Sequence, residues 1–169
     1  MKCLVFSDTH GSLTTVRRAM SMHPDCEVVF FLGDGIRDLE AIAMTRRDVF
    51  FVAVRGNCDT SAYFRSEELK KVESITLLGK KIVLTHGDLY GAKSGLGGLK
   101  SLAKSEGADI LLFGHTHTPC ELYVSDNDNP YYLFNPGAAS GSSASFGVIN
   151  LSEDMPPLLS HGKTSPYSF

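Results

Sequence analysis

An α/β domain carrying two mixed β-sheets is the fold class this sequence predicts, and three observations lead to it. Short, uniformly apolar runs alternate with amphipathic stretches of helical spacing through the first third of the chain, the pattern of parallel strands buried on both faces. Each of those runs ends abruptly in polar residues. The last third then changes to strand-like runs with turn residues between them.

Cys3 to Phe6 reads as the first buried strand. Ser12 stands where it would cap a helix that carries Leu13, Val16, Ala19 and Met20 on one face. Pro24 ends that segment, and Glu27 to Leu32 forms a second buried strand. Ile36 to Arg47 reads as a helix with Ile36, Leu39, Ile42 and Ala43 inward, followed by a strand over Val49 to Val54. Val72 to Leu77, a turn at Gly79-Lys80, and Ile82 to Leu84 make a hairpin. A helix is expected over Leu99 to Glu106 and a strand over Ile110 to Phe113. Glu121 to Val124 and Tyr131 to Phe134 flank a turn at 126 to 130. Phe146 to Leu151 is the last expected strand, and Lys163 to Phe169 reads as a loose tail. With no linker-like stretch, one domain spanning 1–169 is expected.

Composition narrows the function. Of 169 residues, 43% are hydrophobic and the formal net charge is −3, so the chain can bury a core and lacks the basic footprint of a duplex-nucleic-acid binder. Its four cysteines include no CxxC pair, which argues against a structural zinc ribbon and for reduced cytoplasmic thiols. The first apolar run is too short for a signal peptide or a membrane span. A cytoplasmic protein with no membrane attachment is expected.

The chemistry lies at the strand ends. Asp8 and His10, Asp34, Asn57, His86, and His115 with His117 follow five apolar runs. Open α/β sheets bind ligands beyond the carboxyl ends of their strands, so these residues should converge. Histidine is the commonest metal ligand, Asp adds a charged hard oxygen and Asn a neutral one. Residues two apart on extended backbone share a face, so Asp8/His10 and His115/His117 are each expected to point the same way. Any one piece, such as Asp-Thr-His or Gly-Asp, is an ordinary turn on its own; five in succession are a metal site.

The order Asp-x-His, Gly-Asp, Gly-Asn, His-Gly-Asp, Gly-His-x-His resembles the calcineurin-like metallophosphoesterase superfamily, and the short length with Gly-Asn-Cys-Asp resembles its small prokaryotic YfcE-like phosphodiesterase branch. The resemblance implies two mixed sheets packed as a sandwich with helices outside. It implies two divalent metal ions: one held by Asp8, His10 and His117, the other by Asn57, His86 and His115, with Asp34 bridging. Such N and O ligands suit Mn, Fe, Zn, Co or Ni, with Mn the leading expectation. A hydroxide between the metals would then attack phosphorus in line. The catalytic set expected is Asp34, Asn57, Cys58, Asp59 and His117, with Asp59 placed to orient a neighbour and a small phosphodiester as substrate.

Two departures matter. Much of the superfamily has His where this chain has Cys58, and a thiol is a poor hydrogen-bond donor, so substrates with good leaving groups should fare better. Asn135-Pro136-Gly137 resembles the family segment, but Ala138 follows it and the Ser/Gly/Ala stretch to Ser145 reads as a loop or flexible rim. Arg37 and Arg55 adjoin ligand loops, as phosphate contacts or as surface residues. The superfamily also includes a trafficking-complex subunit that uses the fold as a binding scaffold. That alternative sits poorly with a complete ligand set. A metallo-β-lactamase-type hydrolase is disfavoured, because no His-x-His-x-Asp-His run is present. Edge strands of the last third leave a homo-oligomer open.

Overall fold

The computed structural model describes residues 1–59, 68–125 and 129–164. Two five-stranded mixed sheets form the body. The first has the order β10-β9-β1-β2-β3, from β1 (Lys2–Phe6), β2 (Val28–Phe31), β3 (Phe50–Ala53), β9 (Ser145–Asn150) and β10 (Leu158–Lys163). The second has the order β4-β5-β6-β8-β7, from β4 (Val72–Leu77), β5 (Lys80–Thr85), β6 (Ile110–Leu112), β7 (Cys120–Val124) and β8 (Tyr131–Asn135). β1, β2 and β3 run parallel, as do β5, β6 and β8, while β4, β7, β9 and β10 pair antiparallel.

The apolar strands follow from burial on both faces. Cys3, Val5, Val28, Phe30 and Val52 of the first sheet meet Ile82, Leu84, Ile110, Leu112 and Phe134 of the second in one cluster, the layer between the sheets. Leu4, Phe6, Val29 and Phe31, one residue out of phase, pack with Val16, Ala19 and Met20 of α1 (Thr14–Met22) and Ile36 and Ile42 of α2 (Ile36–Ala43). Val83 and Leu111 pack with Leu99, Leu102 and Ala103 of α3 (Gly97–Glu106). The result is the expected sandwich with helices on its outer faces. No helix among the described residues is long and apolar enough to cross a membrane.

Several local expectations need correction. Ser12 does not cap α1: Leu13 is the N-cap residue, with no side-chain cap, and Ser12 instead donates its backbone N–H to Thr9 O. α2 stops at Ala43, because the Thr45 backbone N–H and hydroxyl both turn back to Ile42 O. The hairpin turn is Leu78-Gly79, both at positive φ, with Leu77 already opposite Lys80. β10 was not expected: it is an edge strand, largely exposed, whose Gly162 lies against the Phe146 ring, so neither alternation nor bulk marks it. It also takes in Lys163, the first residue of the expected tail. Residues 126–128 of the expected turn and 165–169 of that tail lie outside the described residues.

Candidate metal centre

The carboxyl ends of β1, β2 and β3 in one sheet, and of β5 and β6 in the other, meet at one end of the sandwich. The side chains expected to converge do so, as two neighbouring groups: Asp34 lies beside His86, and Asp8 Oδ1 faces His117, His10 and, at 4.0 Å, His86.

In the first group, Asp8 Oδ1 lies 3.1 Å from His117 Nε2 and 3.8 Å from His10 Nε2, and the two imidazole nitrogens face each other at 3.4 Å. Asp8 is fully buried. Its Oδ2 accepts from the Ser7 hydroxyl at 2.5 Å and from the His115 N–H at 3.1 Å. Its Oδ1 has no hydrogen-bond partner. A buried carboxylate oxygen without a donor is costly, and here it points at two imidazole nitrogens.

In the second group, His86 Nε2 lies 3.0 Å from Asn57 Oδ1, 3.2 Å from His115 Nδ1 and 3.4 Å from Asp34 Oδ2. His86 is fully buried, and its Nδ1–H donates to Leu32 O at 2.7 Å. That bond turns Nε2 toward the cluster. Burial alone would lower the His86 pKa; Asp34 and then Asp8 more than offset it and raise it. Burial would likewise raise the Asp34 pKa. Hydrogen bonding from His86 and from the Cys58 N–H instead holds it well below the usual carboxylate range.

The local backbone is specialised. Asp8, His10, Asp34, His115 and His117 all have φ between 45° and 68°. The expectation of extended pairs with a shared face is therefore wrong: Asp8/His10 and His115/His117 converge through left-handed turns. Each such residue costs on the order of 1 kcal/mol or more. Five together approach the roughly 5–15 kcal/mol net stability of a domain, so the surroundings must hold them.

Asp59 supplies much of that restraint. Its carboxylate accepts the backbone N–H groups of Asp34 (2.8 Å), Gly35 (2.9 Å), Ile36 (3.1 Å) and Gly56 (2.9 Å). It pins the Asp34 turn, the start of α2 and the Asn57 loop together. The geometry makes it a positioning residue rather than one that meets a substrate. Asp38 plays a similar part for the Asp8–His10 loop, accepting from the Thr9 hydroxyl at 2.5 Å and the Gly11 N–H at 2.9 Å. Sequence reasoning missed it, since an Asp in the first turn of a helix carries no signal for a loop elsewhere in the chain. Gly56 allows the Asp34 side chain to approach: a Cβ there would collide with Asp34 Oδ1.

Asn135 is buried, and its amide donates to Gly114 O (3.0 Å) and Thr116 Oγ1 (3.1 Å), bracing the His115–His117 loop. The stretch after it is no flexible rim at its start: Ala138 and Ala139 are buried, the Ala139 N–H donates to Ser7 O, and the Ser140 hydroxyl donates to Asp8 O. Cys58 is open to solvent. Partial desolvation, then Asp34 beside it, pushes its thiol up to about 11. Arg37 is exposed at the start of α2, and the Arg55 N–H donates to Lys70 O at 3.0 Å.

Three sets of side chains present ligand atoms close enough to hold one cation: Asp8 with His10 and His117, His10 with Asp34 and Cys58, and Asp8 with Asp34 and His86. The orphaned Asp8 oxygen and the aimed His86 Nε2 fit divalent cations, with N and O donors suited to transition metals.

Residues 1–154 match the family model described as the calcineurin-like phosphoesterase superfamily domain. The chain is 34% identical to the probable metallophosphoesterase YsnB of Bacillus subtilis, over 91% of this chain and 86% of that one. It is 28% identical to the phosphodiesterase YfcE of Escherichia coli, over 89% and 88%. Among solved structures, wild-type Vps29 of Entamoeba histolytica complexed with Zn²⁺ superposes with a TM-score of 0.73, at 21% identity over 96% of this chain and 98% of that one. At that identity the likeness is one of fold.

Proposed function

The chain belongs to the calcineurin-like phosphoesterase superfamily, and from that premise we propose that it is a phosphodiesterase that hydrolyses small phosphodiesters at a dinuclear centre. The single observation that carries the reading is the buried Asp8 Oδ1, which accepts no hydrogen bond and faces the His117, His10 and His86 imidazole nitrogens at 3.1, 3.8 and 4.0 Å.

In this reading Asp8, His10 and His117 hold one cation, Asn57, His86 and His115 the other, and Asp34 both. Mn²⁺ is the proposed ion, with Fe, Zn, Co and Ni compatible with the same donors. When bound, divalent ions lower the pKa of water and offset charge on phosphoryl oxygens. The protein's own part is positional. Leu32 O holds the His86 proton on Nδ1, Asp59 and Asp38 fix the loops, and Asp34 supplies anionic charge between the two groups. His10 and His117 stand at the solvent side, where a substrate enters. Cys58 lies beside Asp34, and a thiol is a poor hydrogen-bond donor, which favours diesters whose leaving groups depart unaided.

The remaining reading is of one catalytic domain spanning 1–169, acting in the cytoplasm; the absence of a strongly basic charge balance supports small substrates over duplex nucleic acid. The test is hydrolysis of a phosphodiester panel by metal-stripped protein reloaded with single metals. Activity that returns with Mn²⁺ supports the reading, and activity undiminished in verified metal-free protein overturns it.

A further inference from the structure

The Asn57 half and the His86 half of the second group come from different sheets. Asn57 follows β3, the edge strand of the first sheet, while His86 follows β5 in the second. Asn57 is exposed and offers only a neutral oxygen, so its usefulness as a ligand depends on where its loop is held. Asp59 fixes that loop to Asp34, which belongs to the same sheet. Across the sheets the His86 Nδ1–H bond to Leu32 O holds the His86 ring to the end of β2, but it does not reach the Asn57 loop.

Lys71, the residue immediately before β4, spans that gap. Its ammonium donates to Gly56 O at 3.0 Å and to Asp88 Oδ2 at 3.2 Å. Gly56 O belongs to the peptide plane from which Asn57 departs, and Asp88 lies two residues beyond His86. The pair is sheltered, with side chains 26% and 15% exposed, so its attraction is less screened than that of a surface ion pair. A second tie runs alongside it, from the Arg55 N–H to Lys70 O. Together they fasten the exit of β3 to the segment leading into β4.

We propose that Lys71 is a positioning residue for the second metal pocket: a strut that sets the Asn57 loop against the His86 loop across the two sheets, with Asp88 as its anchor and counter-charge. The inference rests on the dinuclear reading above. Asp88 also neutralises the ammonium, which would otherwise repel a cation bound between Asn57 and His86. Losing Lys71 therefore frees the Gly56–Asn57 peptide to turn; because the bare Asp88 carboxylate it leaves attracts cations, a weakened equivalent in Lys71→Met reports lost positioning rather than lost charge.

Calorimetric titration of metal-stripped protein with Mn²⁺ tests this, on wild type, Lys71→Met, Asp88→Asn and the double variant. The wild type should take up two equivalents. Each single variant should weaken one equivalent by about 10- to 100-fold, as losing a partner behind a ligand does, and leave the other within a few-fold. The double variant should do no worse than the poorer single one, because the two residues act as one unit. A wild type that takes up fewer than two equivalents overturns the dinuclear reading and this inference with it. Two wild-type equivalents with unchanged affinities in Lys71→Met overturn the strut alone. So does parallel weakening of both equivalents, the mark of a general loss of structure, and so do additive losses in the double variant.

Discussion

His86 is wholly buried, with its Nδ1–H committed to Leu32 O, whereas His10 and His117 stand in the mouth of the site with side chains 37% and 49% exposed. The two ligand groups thus divide the work differently. In the Asn57–His86–His115 group, Asp34 lies beside His86, and it is His86 alone that is held by burial and a fixed tautomer. The Asp8–His10–His117 group has a buried carboxylate, one oxygen of which accepts no hydrogen bond and faces the two imidazoles.

The largest expected effect does not distinguish the pockets but tests whether both are metal sites. Chelation should abolish hydrolysis of an activated diester, and Mn²⁺ should restore it. Next comes the group the pockets share. Asp34→Asn should lose more activity than His10→Ala, and dialysed Asp34→Asn should retain less metal, as measured by elemental analysis. Equal, small losses would show that Asp34 serves one pocket rather than two.

Stability separates the pockets more sharply than activity. His86→Ala leaves Asp34 and Asp8 without the imidazole that faces them and leaves Leu32 O unpaired; breaking a buried charged arrangement costs about 3–5 kcal/mol. His117→Ala removes a half-exposed ring, and such changes typically stay within about 1 kcal/mol. Denaturant unfolding of the two metal-free variants should therefore show a large loss for His86→Ala and a small one for His117→Ala. Similar losses would mean that the second pocket is no more preorganised than the first.

The same contrast explains what was legible in the sequence. The seven candidate ligand positions follow apolar runs, and parallel strands present their carboxyl ends on one side, so chain order pointed to their convergence. The two mixed sheets were legible for a related reason, since strands apolar on both faces need cover on both; their packing as a sandwich was what the family resemblance implied. What could not be read was how the loops are held. Five ligand residues adopt left-handed backbone, although none of them is glycine. Asp59 looked like a site residue because it follows Asn57-Cys58, yet its four backbone N–H partners lie at the Asp34 turn, the start of α2 and the Asn57 loop, which no spacing within one loop reveals. Asp38, Asn135 and Lys71 likewise act on loops distant in sequence. β10 escaped because an exposed edge strand need not alternate.

The smallest expected effect concerns Cys58, which belongs to the Asn57 loop but to neither group in this reading. Its backbone is already committed, since the Cys58 N–H donates to Asp34 Oδ1 at 2.8 Å, and any residue but proline can supply that bond. Its side chain accepts from Asn57 Nδ2 at 3.2 Å, and a serine hydroxyl can take the same contact. A thiol pushed up to about 11 keeps its proton near neutral pH but is a weak donor and a far weaker acid than an imidazolium. General acid catalysis typically contributes about 10²- to 10⁴-fold, and a side chain that does not provide it has little of that to lose. Cys58→Ser should therefore change turnover of a nitrophenyl diester by no more than a few-fold, with metal content unaltered. The rate across a series of diesters should fall steeply as the leaving group becomes more basic, and with the same slope in both proteins. A near-total loss in Cys58→Ser with both metals retained, or a slope that changes with the substitution, would make the thiol a participant in bond cleavage and place the Asn57 loop among the groups that touch the reacting atoms.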